Sequence, residues 1–142
     1  MASVRSGPGA LLLGDTRRTA DRFLLVAGAV FIALPLLRAS VGRDVNTILQ
    51  SDLVYASAVA LTLVVAGGHA YRNRGLFTSV VCAYLVLAGY FLGGWIALGR
   101  TGSGSVLPEY ALLPAVLGIP LGGGAFVLGW GARYAVRRMA GA

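Results

Sequence analysis

The sequence lacks the residue types on which most membrane cofactor chemistry depends. All 12 basic residues are arginine, so there is no lysine, and the chain has one histidine, His69, and one cysteine, Cys82. Without lysine no retinal Schiff base can form, and one histidine excludes a bis-histidine haem site within the chain. One cysteine excludes an intramolecular disulfide and a cysteine-based metal motif. We therefore predict no cofactor and no metal.

Acidic residues are equally scarce. The five Asp and Glu residues all lie in predicted tails, loops or helix caps, so a zinc or di-iron site would have no ligand set. No Gly-x-Ser-x-Gly elbow and no phosphate-binding loop of the Walker type occurs. The apolar runs contain no carboxylate, which argues against a proton-coupled carrier. These absences predict a protein that is not an enzyme.

Apolar residues, in contrast, are abundant. They make up 57% of the 142 residues, charged residues only 12%, and the mean hydropathy is +0.78. A soluble domain of this length could not bury so much apolar surface, whereas a bilayer can. We predict an all-α fold, a four-helix transmembrane bundle forming one membrane domain over residues 23–136. Its spans are expected at residues 23–42, 53–71, 76–98 and 110–132.

The segments outside the spans are short. Residues 1–22 are expected to form a cytoplasmic or interface-lying tail, and residues 137–142 a short basic tail. The link at residues 72–75 permits only a tight helical hairpin, with Gly75 suited to its turn. In the fourth span, Pro114, Pro120 and the glycines at 122–124 predict a broken helix.

The arginines predict the orientation. If the N-terminus is cytoplasmic, only Arg38, Arg43 and Arg100 lie outside, a clear positive-inside bias. A pI near 10.5 would suggest nucleic acid for a soluble protein, but here the arginines flank apolar runs. We therefore expect lipid headgroups, not nucleic acid, as their partners. The arginines expected to fix this N-in, C-in topology are Arg17, Arg18, Arg22, Arg72, Arg74, Arg133, Arg137 and Arg138.

One ten-residue segment resembles a segment found in a group of membrane proteins. Residues 70–79 read Ala-Tyr-Arg-Asn-Arg-Gly-Leu-Phe-Thr-Ser, which resembles the inter-helix hairpin of small multi-spanning membrane proteins from halophilic archaea. That group has no assigned activity, so the resemblance implies a membrane hairpin and no chemistry.

Small residues recur at helical spacing in the last two spans. Such faces let helix backbones approach closely, which drives association where lipid supplies no hydrophobic force. Whether they seal the bundle or bind another chain is open at this point. The predicted packing positions are Gly89, Gly93, Gly118, Gly122, Ala125 and Gly129.

Two polar features each allow two interpretations. His69 is a proton relay or lipid-phosphate ligand, or else an interfacial residue packed against the hairpin, which we favour. The first outer loop is a docking surface for an extracytoplasmic partner, or else a solvated, self-neutralising loop. Its residues in question are Arg43, Asp44, Asn46, Gln50 and Asp52.

Together these patterns favour a non-enzymatic structural or accessory subunit of a larger membrane assembly. The assembly would lie in the cell membrane or in the internal membrane of a virion. Its partners would be the lipid bilayer and other membrane-embedded chains, in a homo- or hetero-oligomer. The alternative is a small oligomeric channel or transporter that uses the broken fourth helix.

Overall fold

Four long helices make up most of the computed structural model, which describes residues 11–12, 14–40, 47–97 and 107–141. They are α1 (Arg17–Ser40), α2 (Thr47–Asn73), α3 (Leu76–Ala97) and α4 (Leu107–Ala140). The described residues contain no β-strand. Each helix includes a stretch long and apolar enough to cross a membrane. The fold is therefore all-α, with four candidate membrane spans.

Three of the four helices, α1, α2 and α4, are longer than the predicted spans, and α3 ends one residue before its predicted end at 98. Helix α1 begins at Arg17, so the last part of the expected tail is helical. Helix α2 begins at Thr47, and α4 continues to Ala140, beyond the predicted end at 132. Hydropathy marks only the apolar part of a helix, whereas backbone hydrogen bonding extends it into the polar flanks.

The fourth helix is unbroken, and the expectation of a break at its prolines and glycines was wrong. Residues 107–140 form one α-helix with Pro114 and Pro120 inside it. Pro114 is fully buried, and Gly122 also lies against a neighbour. At Pro114, tertiary packing thus supports the helix where the proline removes a backbone hydrogen bond, as neighbouring helices do in membrane bundles. Pro120 lies on the exposed side of the same helix.

Helix α3 is the central element. It packs against all three other helices, most extensively against α1 and then α4, while α4 also packs against α2. Helices α1 and α2 are neighbours in sequence but share only a small contact. The most buried span is accordingly that of α3. The arrangement leaves α1 and α4 on opposite sides of an α2–α3 centre.

The turn between α2 and α3 is closed by Arg74. Its backbone has φ 54°, in the left-handed region, and its N–H donates to the carbonyl of Ala70 over 3.1 Å. This is the single-bond left-handed cap of a helix C-terminus, usually made by glycine. We expected Gly75 to supply the turn conformation, but the structure assigns it to Arg74, one position earlier.

The outer surface of the bundle is apolar. Leu25 is 73% exposed, Val64 71% and Leu128 69%. In a soluble protein such a surface would be a liability, whereas in a bilayer it meets lipid tails. The interior is lined by small side chains, among them Ala27, Ala66 and Ala83.

Candidate functional site

The small residues of α4 lie at its crossing with α3. A Cβ at Gly122 would lie 2.7 Å from the Cα of Val80, and one at Gly118 would lie 3.2 Å from the Cα of Tyr84. Real Cβ atoms essentially never approach backbone as closely as 2.7 Å, and 3.2 Å is tighter than most real Cβ contacts, so the two helices are in backbone contact here. One turn further on, Ala125 is buried in a cluster with Ala66 and Ala83.

Two further crossings use glycine. At Gly89 of α3, a Cβ would lie 2.8 Å from the backbone of Phe31 on α1. At Gly129 of α4, a Cβ would collide with the carbonyl of Gly67 on α2. Gly93 is also buried on α3. The predicted packing residues thus lie inside the bundle, and all of them except Gly93 are shown in contact with another helix.

A second set of small residues on α4 faces away from the other described helices. Apart from the backbone and adjacent residues of α4 itself, no heavy atom of the described residues lies within 4 Å of a Cβ built at Gly123, Gly124 or Gly131. Gly124 and Gly131 are exposed and seven residues apart, which places them on one face of the helix. Leu128, between them, is exposed as well. Helix α4 therefore presents small residues both inward and outward.

One end of the bundle carries the predicted topology arginines. Helices α1 and α3 begin there and α2 and α4 end there, as the bonds between residue 16 and Asn73 and between Arg133 and Arg72 require. Arg74 and Arg133 are half-buried. The exposed members of the set are Arg17, Arg18, Arg22, Arg72, Arg137 and Arg138.

The same end holds a buried polar network that the sequence analysis did not predict, and Asn73 is its centre. The Asp15 N–H donates to the backbone carbonyl of Asn73 over 2.8 Å. The Thr16 N–H and Oγ1 both donate to Asn73 Oδ1, over 2.7 Å and 2.9 Å. Gly14 has φ 94°, and a Cβ there would collide with the Asn73 side chain. Residues 14–16 are thereby fastened to the end of α2.

His69 extends this network to α3. Because Asn73 Oδ1 accepts a backbone N–H, its Nδ2 is the atom that faces His69 Nε2, at 3.1 Å. Nε2 is then an acceptor, so the ring proton is on Nδ1 and is donated to Ser79 Oγ over 3.1 Å. Ser79 Oγ in turn lies 2.8 Å from the Gly75 carbonyl. The Phe23 ring of α1 packs edge-to-face against the His69 ring, with the two centroids 5.4 Å apart.

An ion pair ties α4 to this network. Arg133 Nη1 lies 3.6 Å from Asp15 Oδ2, with the side chains 16% and 31% exposed. The same nitrogen donates to the Arg72 carbonyl over 3.4 Å. All four helices meet at this point, through Phe23, His69, Ser79 and Arg133. The network is suited to fixing the helix ends.

Of the two interpretations of His69, packing against the hairpin agrees with its position. The histidine is fully buried, and it has two side-chain partners, Ser79 and Asn73, neither of which had been identified from the sequence. The available signal was the four-residue spacing of His69 and Asn73, which places both on one helix face. Thr16 and Asn73 are 57 residues apart, and no spacing pattern in the sequence predicts their contact.

The predicted outer-loop docking surface lies mostly outside the described residues. Arg43, Asp44 and Asn46 belong to that undescribed part. Gln50 and Asp52 are in α2, ahead of the expected start of the second span.

Among the described residues, no group of three His, Cys, Asp or Glu side chains is arranged to hold a metal ion. In comparisons with family models, with curated proteins and with solved structures, nothing matches this chain. Arguments about its function therefore depend on its own residues.

Proposed function

We propose that the protein is a non-enzymatic structural or accessory subunit of a larger membrane assembly, a cellular complex or a membrane-containing virion. Both termini and the α2–α3 hairpin face the cytoplasm in this proposal, following the arginines at that end. The observation that carries the proposal is the outward small-residue face of α4, around Gly124 and Gly131.

That face is poorly suited to lipid alone. A large side chain such as Leu128, 69% exposed, fills space between lipid tails, whereas glycine leaves helix backbone uncovered. Close approach of a second helix would cover it, and van der Waals packing of this kind is what drives helix association in membranes. The inward face of α4 is already occupied by α3 and α2. The outward face is available to a helix from another chain.

The alternative, a small oligomeric channel or transporter, depended on a broken fourth helix. Such helices place unwound backbone at a solute site. Because α4 is continuous from Leu107 to Ala140, the feature that motivated this alternative is absent from the described residues. We therefore retain the subunit proposal alone.

Purification in mild detergent tests the proposal. We expect wild-type protein from its native membrane to keep other membrane-embedded chains, or further copies of itself, and Gly124→Leu to lose them. Gly28→Leu is the matched control, since Gly28 on α1 also has open space around a built Cβ. Retention of the same partners by both variants would contradict a role for the α4 face. A wild-type protein that is always a 14.6 kDa monomer would contradict the subunit proposal.

A further inference from the structure

A groove runs between the first turns of α1 and α3. Its volume is about 300 Å³, and it is open to the surroundings of the bundle. Arg17 and Asp21 of α1 line its outer part, and Leu24 lies one turn deeper along the same helix. Val81 of α3 also lines it. The groove is therefore polar at its mouth and apolar towards the middle of the bundle.

In a membrane spanned by these four helices, the groove would lie at the level of the lipid headgroups. It is at the end of the bundle where the arginines gather, and Arg17 is the first residue of α1. From Arg17 to Leu24 the helix rises about 10 Å, which takes the groove from the charged flank into the apolar span. A molecule that fits it must have a polar end and an apolar end in the same order.

The mouth of the groove carries both signs of charge: the Arg17 guanidinium and two helix N-termini are positive, and the Asp21 carboxylate is negative. Helices α1 and α3 both begin here, and helix N-termini carry partial positive charge. Gly75, which precedes α3, has no side chain to cap the first-turn amides. Arg17 is only loosely paired: its Nε lies 3.9 Å from Asp21 Oδ2, and the two side chains are 80% and 59% exposed. Exposed pairs of this geometry are weak, so Arg17 can exchange its partner for a phosphate.

We propose that this groove is a phospholipid-binding site. The lipid phosphate binds Arg17 at the starts of α1 and α3, and the upper part of an acyl chain lies along Leu24 and Val81. Asp21 faces the headgroup substituent and favours one that donates hydrogen bonds, an amine or a hydroxyl. This site is independent of the protein contact proposed for α4.

Lipid retention by the purified full-length chain tests the site. Detergent-solubilised protein is titrated with phosphatidylglycerol, and bound lipid is counted by native mass spectrometry. We expect Arg17→Gln to weaken retention about tenfold, the effect of losing one charge-assisted hydrogen bond. Arg18→Gln removes the same charge at an exposed neighbour that does not line the groove, and we expect less than about a twofold change.

A second pair of variants tests the apolar part. Val81→Phe places a ring in the groove and is expected to reduce lipid retention by about tenfold, while Val64→Phe, on an exposed face of α2, leaves it unchanged. Equal losses for Arg17→Gln and Arg18→Gln would show general surface attraction and overturn the proposal. Displacement of the lipid by millimolar inorganic phosphate would also overturn it, because a free anion would then be the ligand.

Discussion

The side-chain amide of Asn73 donates to Nε2 of His69 across 3.1 Å, and this one bond sets the tautomer of the histidine. The direction of this hydrogen bond follows from the Thr16 N–H, which donates to Oδ1 of the same Asn73 amide and leaves Nδ2 to face the histidine. A buried histidine with both ring nitrogens so engaged acts as a rigid connector between α2 and α3. Its neighbours explain how the N-terminal segment and α4 attach to the same point.

Replacing Asn73 by leucine should destabilise the bundle by about 2–4 kcal/mol, because the Thr16 N–H and His69 Nε2 would both stay buried without a partner. Residues 14–16 would also lose their attachment. We expect a lower unfolding midpoint in detergent and faster tryptic cleavage at Arg17 and Arg18.

The control for this prediction is Ser57→Ala. The Ser57 hydroxyl donates only to the Leu53 carbonyl of its own helix, on an exposed face. Its loss should change stability by less than about 0.5 kcal/mol. If Asn73→Leu were as mild, the network would not be what holds the helix ends together.

The four helices were predictable because each span is a long apolar run, a signal that needs no tertiary information. The continuity of α4 was not, since Pro114 and Pro120 break helices in water, and the packing around the buried Pro114 is a tertiary contact that the sequence does not reveal. The polar network was out of reach for a related reason. It joins Thr16 to Asn73 and Asp15 to Arg133, pairs far apart in sequence with no periodic pattern.

Arg74→Gly should stabilise the protein although it removes a charge. Arg74 holds φ 54°, which costs a non-glycine residue about 1 kcal/mol, and its Nε is buried without a hydrogen-bond partner. Glycine relieves both. We expect a gain of roughly 0.5–1 kcal/mol in the free energy of unfolding.

Arg72→Gly, two residues away, should lower the free energy of unfolding, the opposite of the change expected for Arg74→Gly. Arg72 is exposed in the last turn of α2, where glycine lowers helix propensity by roughly 0.5–1 kcal/mol. Reversible unfolding in mixed detergent measures both changes. Destabilisation by both variants would mean that the Arg74 side chain makes a contribution larger than its backbone cost.

Gly122→Leu should cost about 1–3 kcal/mol, as overpacking does in well-packed cores. The new side chain would meet the Val80 backbone, and neither helix can yield without separating. Gly124→Leu is the matched variant, because open space surrounds that position, and Leu128→Phe changes an exposed site. Both should leave the stability of the isolated bundle nearly unchanged. Equal tolerance at all three positions would contradict a close α3–α4 crossing.

The orientation can be tested with single cysteines in a Cys82→Ser background. Cysteines replacing Arg72 and Arg138, both exposed, should react with an impermeant thiol reagent only after the membrane is opened. A cysteine at Thr101 should react in intact cells. External labelling at Arg72 would reverse the assignment of the two sides.

The protein reconstituted alone into liposomes should be electrically silent and leave ion and solute gradients intact. A path for charged solutes normally needs an intramembrane charge, and the apolar stretches between residues 53 and 71 and between 76 and 97 contain none. Neutral solutes need only hydrogen-bonding groups. Thr62 is the buried hydroxyl nearest the middle of α2, and it already donates to the Ala58 carbonyl over 2.8 Å. Two measurements test this: the conductance of planar bilayers that contain the protein, and the uptake of radiolabelled solutes into liposomes. Gly122→Leu serves as a variant with altered helix packing. Saturable uptake of any solute by the purified wild-type protein would refute the subunit proposal, because a structural subunit does not transport solutes.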